Sequence, residues 1–127
     1  MIARLEKEHR YFRTEIDRST NLLENNRDVA IDVLNNLSSK IIQHAVEEEV
    51  RLVRIIMEKA KAESEQSIHV MQEHNYVVDF IKHKLPELYK LQFSDARNEI
   101  AKFTSALKEH FVEEEKIVFP LALRLAS

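Results

Sequence analysis

Four histidines and two glutamates occupy positions where a helical chain would place apolar side chains. Leu34, Leu37, Ile41, His44, Glu48, Leu52 and Ile55 recur at alternating steps of three and four residues. Ile100, Phe103, Leu107, His110, Glu114, Val118 and Leu121 do the same. That spacing is the inward seam of an amphipathic helix. A carboxylate on such a seam leaves water, and without a partner its burial costs several kcal/mol. Together with His9 and His74, which lie on seams of their own, the six groups could share a hydrogen-bond network. A pair of divalent or trivalent metal ions satisfies all six more fully.

The donors are duplicated. The two long seams are related by one offset, 110 − 44 = 66, and Leu5, His9, Phe12 and Ile16 correspond to Val70, His74, Val77 and Ile81 with an offset of 74 − 9 = 65. The chain therefore reads as two related helix pairs, each with a lone histidine on its first helix and His-x-x-x-Glu on its second.

The elements that must position these groups are helices. The 127 residues include no Gly and two Pro, whereas a β-rich fold of this size needs several tight turns that call for Gly. Three polar breaks leave helical stretches over about 2–24, 28–61, 65–90 and 95–119. The first break, Glu24 to Asp28, offers asparagine as a left-handed C-cap and Asp28 as an N-cap. The second falls near Ala62-Glu63-Ser64-Glu65. The third begins near Pro86 and ends at Ser94, which is expected to cap the last helix, and Pro120 is expected to end or kink it. Short connections favour antiparallel neighbours, so the fold class expected is all-α, an antiparallel up-down-up-down four-helix bundle forming a single domain over residues 1–127.

Depth supports the grouping. His9 lies 24 − 9 = 15 residues before the first turn and His44 lies 44 − 28 = 16 residues after it. At ~1.5 Å per residue both rings sit ~22–24 Å from that turn. His74 and His110 are level by the same logic. Two carboxylates from diagonal helices could then bridge two metals, with two histidines on each.

Other metal-binding patterns fit the chain less well. The Glu-x-x-His signature of ferritin-like bundles occurs only at Glu6/His9, and the His-Glu-x-x-His of zinc proteases is missing. His69/Glu73 and His83/Glu87 fall on a different stripe with Tyr76 and Phe80, read as a side face. Glu47, Glu49, Glu113 and Glu115 read as solvated helix surface. Mixed imidazole and carboxylate donors suit iron or manganese, with zinc as a further alternative.

The segments Glu8-His9, His44-Ala45-Val46-Glu47-Glu48, Glu73-His74 and His110-Phe111-Val112-Glu113-Glu114, followed by Ile117-Val118-Phe119-Pro120, resemble the hemerythrin-like family, also called HHE cation-binding domains. The resemblance covers nearly the whole chain. It implies a non-haem centre of two iron ions, bridged by two carboxylates and an oxo or hydroxo group, with His9, His44, Glu48, His74, His110 and Glu114 as metal ligands. Oxygen-carrying members use a further histidine one turn before the third-helix ligand, where this chain has Val70. His69 is one residue off, ~100° around the helix. Water or a nearby tyrosine is expected to complete the set.

The function expected is a binding module for oxygen, peroxide or nitric oxide, serving sensing, carriage or detoxification, with Phe12, Ile41, Val77, Ile81, Leu107 and Phe111 restricting water. A di-iron peroxidase or oxidase, or a structural or storage bundle with inert metal, are the alternatives. A net charge of −3 with no run of basic residues removes the footprint of nucleic-acid binding. The lack of Cys excludes disulfides, Fe–S clusters and thiol chemistry. A charged N-terminus without an apolar core and no apolar run of ~18 residues point to a cytoplasmic location.

Overall fold

The computed structural model describes residues 2–59 and 64–126, and all of its regular structure is helical. The first helix is Ile2–Leu23. The second is Arg27–Glu48, continued through a π-helical turn, Glu49–Val53, into Arg54–Lys59. The third is Ser64–Asp79, followed by a π-helical turn, Phe80–Lys84, and a 3₁₀ segment, Leu85–Lys90. The fourth is Phe93–Glu113, continued through the π-helical turn Glu114–Val118 into Phe119–Ala126. The second expected break lies at Ala62 and Glu63, outside the described residues, while Ser64 already belongs to the third helix.

The first and third helices each pack against both the second and the fourth. This is the expected four-helix bundle. Its core falls into two apolar clusters. One holds Phe12, Ile16, Leu34, Phe80, Phe103 and Phe111, with Phe80 and Phe103 stacked at a centroid distance of 4.0 Å. The other, toward the far end, holds Leu5, Leu52, Ile56, Val70, Val118 and Phe119. Among the described residues no helix is long and apolar enough to cross a membrane.

The helix ends depart from expectation. No described residue has positive φ, so no asparagine serves as a left-handed cap. The first helix closes through Asn25 and Asn26 amides donating to the Leu22 carbonyl. Asn26, extended at φ −154° and ψ 98°, caps the second helix by accepting from the Val29 amide at 3.2 Å. Asp28 therefore sits in the first turn, where its charge favours the helix N-terminus. Similarly, Gln92 precedes the fourth helix with no side-chain cap, and Ser94 lies inside the helix.

Pro120 does not end the fourth helix. The Phe119 amide reaches back five residues to the Glu114 carbonyl, and Pro120 takes the second position of the segment that follows, where a missing N–H is tolerated. The equivalent widened turn in the second helix inserts an extra residue into the seam. Ile56 is consequently buried and Ile55 only half-buried.

Candidate metal centre

All six seam donors are buried at one level between the two apolar clusters. His9, Glu48 and Glu114 have no exposure, and His44, His74 and His110 retain 3–4%. They form two sets that share both glutamates: His9, His44, Glu48 and Glu114, and Glu48, His74, His110 and Glu114. Within each set one ligand atom per residue lies within 4.8 Å of all the others.

The inner atoms converge without completing one another's hydrogen bonds. His44 Nε2 lies 2.6 Å from Glu48 Oε1, and His110 Nε2 lies 3.0 Å from Glu114 Oε1. Both oxygens of each glutamate, with His74 Nε2 and His110 Nε2, nonetheless lack a hydrogen-bond partner. Six orphaned buried atoms around one point are a costly arrangement for a protein alone. They suit an ion that accepts lone pairs from every side.

Each ring is held from outside by a carboxylate. His9 Nδ1 lies 2.8 Å from Glu115, His44 Nδ1 2.9 Å from Glu8, His74 Nδ1 3.1 Å from Glu49, and His110 Nδ1 2.8 Å from Glu73. An ionised carboxylate only accepts, so each Nδ1 carries the proton and each Nε2 turns a lone pair inward. His9 Nε2 and His44 Nε2 are 3.0 Å apart. Two facing lone pairs at that distance require a proton or a cation between them. Right-angled nitrogen ligands at ~2.1 Å from one ion have this same ~3.0 Å separation.

Burial holds the pKa of His9 and His74 below the ordinary histidine value, against the opposing pull of nearby carboxylates. In His44 burial acts in the same direction, but the close contact and charge of Glu48, joined by Glu8, outweigh it and raise the pKa. His44 is thus the ring best placed to carry the shared proton when no metal is bound.

Residues 1–122 match the family model of the hemerythrin HHE cation binding domain. The chain belongs to this family. No curated protein and no solved structure matches it significantly. A hemerythrin HHE domain has a metal-binding site furnished by histidine and glutamate, and the two buried sets fit that chemistry.

Several features of this hemerythrin domain differ from what its sequence predicts. Glu49 and Glu115 are half-buried partners of His74 and His9, not solvated surface. Glu73 is no mere side-face residue, since it holds His110. Glu8 plays the same part for His44. The signal was present in the repeat: 8 + 65 = 73 and 49 + 66 = 115, so the outer carboxylates obey the same offsets as the inner donors.

Two of the three tyrosines are engaged elsewhere. Tyr89 bonds Asp32 and Asn35, Tyr11 accepts from Lys40, and Tyr76 is exposed. No tyrosine lines the inner cavity, though Tyr76 borders the outer one that reaches His110. Of the apolar neighbours anticipated, Phe12, Ile41, Val77, Leu107 and Phe111 line a cavity of about 10 Å³ beside His44, Glu48, His74 and His110. Ile81 is buried but does not line it.

Proposed function

We propose that the protein holds two iron ions, one between His9 and His44 and one between His74 and His110, with Glu48 and Glu114 shared by both. We propose further that a small oxidant, either oxygen, peroxide or nitric oxide, binds there for sensing, carriage or detoxification. The observation that carries this reading is the sharing of two otherwise unpartnered glutamates by two histidine pairs. Such a mixed imidazole and carboxylate set suits iron or manganese. Iron bound in it supplies redox activity and open coordination positions for a small ligand.

The protein's own groups do the rest. Glu8, Glu49, Glu73 and Glu115 fix the tautomer and tilt of the four rings. Phe12, Ile41, Leu107 and Phe111 keep bulk water away from the donors. A cavity of about 10 Å³ admits one water-sized molecule and rejects a larger organic substrate.

The test is metal analysis with an optical spectrum of protein purified without added metal. Two irons per chain are expected, with near-ultraviolet charge-transfer absorption that shifts on adding oxygen to reduced protein, or peroxide or nitric oxide. One ion per chain, zinc alone under iron-replete expression, or a spectrum unmoved by all three ligands would overturn the reading. Sustained turnover of peroxide would mark an enzyme instead.

A further inference from the structure

The two helix pairs differ at one set of equivalent surface positions. By the repeat offsets Arg4 corresponds to His69 (4 + 65), Glu8 to Glu73 (8 + 65) and Glu47 to Glu113 (47 + 66). In the first pair the Arg4 guanidinium forms an ion pair with Glu47. Arg4, Glu8 and Glu47 border one surface groove. A fixed positive charge thus stands among the carboxylates there.

In the second pair that charge is replaced by an imidazole. His69 Nε2 lies 3.2 Å from Glu113 Oε2 and 3.5 Å from Glu73 Oε1. One ligand atom from each of the three residues lies within 4.8 Å of the other two. His69 is half-exposed, and the two carboxylates are about one-quarter exposed. His69 and Glu73 also border a cavity of about 210 Å³ that reaches His110. Two carboxylates and an imidazole supply three donors while leaving one side open to solvent.

We propose that His69, Glu73 and Glu113 form an outer site for an exchangeable divalent cation of the zinc or ferrous class, distinct from the buried centre. The cation takes the place that Arg4 fills in the other half. One nitrogen and two oxygen donors suit such ions, and the exposed face leaves room for water ligands to complete the shell. Three donors at a solvated surface give modest affinity and fast exchange. A shared residue ties the two sites: Glu73 holds His110 through the oxygen that faces His69.

The experiment is equilibrium dialysis of the as-isolated, metal-loaded protein against zinc, with elemental analysis separating added zinc from resident metal. Wild type is expected to take up one further zinc per chain. His69→Arg, which restores the arrangement of the first half, and Glu113→Gln are each expected to weaken that uptake at least ~10-fold, with resident metal unchanged. No further zinc at millimolar free concentration, or uptake by both variants equal to wild type, would overturn the proposal. Zinc is counted against the content before dialysis, so neither result depends on which metal fills the buried centre.

Discussion

The His9–His44 side and the His74–His110 side of the centre carry the same donors inside different walls. His9 stacks on Phe111 at 4.2 Å and on Phe119 at 5.4 Å, and Phe12 meets His44 edge-on at 5.3 Å. On the other side the repeat places Ala45, Val53 and Val77 at the positions of Phe111, Phe119 and Phe12 (45 + 66, 53 + 66 and 12 + 65). Arg13 grips Glu115 through two bonds of 2.8 and 3.2 Å and lies over the Phe111 ring. Val78 stands at the corresponding position, 13 + 65, so Glu49 has no equivalent arginine. Duplicated chemistry thus tolerates divergent packing. Donor identity is set by what the centre must hold, whereas the wall needs only to fill space and exclude water. The one-molecule cavity lies between the walls, with Phe12 and Phe111 from the larger and Ala45 and Val77 from the smaller.

The largest effect should ignore this asymmetry. Glu48→Leu and Glu114→Leu are each expected to lose both metals, or to leave one weakly held, because each glutamate belongs to both sets. Without metal the same variants should melt no lower than metal-free wild type, since each removes one of two carboxylates that face each other in the buried site. Metal content and thermal melts with and without iron check both statements. Retention of two ions in either variant would show that the glutamates are not shared.

Metal loss should reveal the asymmetry. A chelator is expected to remove the ions in two phases, the slower from the His9–His44 side. Arg13→Ala should release Glu115 and weaken that side by ~10–100-fold, bringing the phases together. A single phase in wild type would mean that the aromatic wall and the arginine do not control metal retention.

Cavity shape gives a smaller, more local effect. Val77→Phe copies the large wall onto the small side and is expected to reduce nitric oxide binding about 10-fold while two metals remain, an effect of ~1.4 kcal/mol. Calorimetry or spectral titration of the reduced protein measures it. Unchanged affinity would place ligand access elsewhere.

The smallest comparison concerns helix starts. Asn26 and Gln92 are equivalent positions (26 + 66), yet only Asn26 caps its helix with a side chain. Asn26→Ala should lower stability by ~1 kcal/mol, and Gln92→Asn should add a similar amount or less. Each change should move the melting temperature by a few degrees in opposite directions.

The four helices and the six inner donors could be read from the sequence because both are properties of a single helix. Seam spacing follows from 3.6 residues per turn, and depth from a fixed rise, so neither needs a neighbour to be known. The internal offset then matched one pair with the other. What lay beyond that reading depends on how helices are turned and spaced against each other. Glu8 reaching His44, Glu73 reaching His110, and Glu49 and Glu115 reaching His74 and His9 are all contacts between helices, and one-helix periodicity says nothing of which neighbour a flanking side chain meets. The displaced seam at Ile56, the helix running past Pro120 and the caps at Asn26 and Gln92 have a related origin. Each turns on backbone bonds shifted by one residue. Such shifts differ little in local preference, so tertiary packing selected among them.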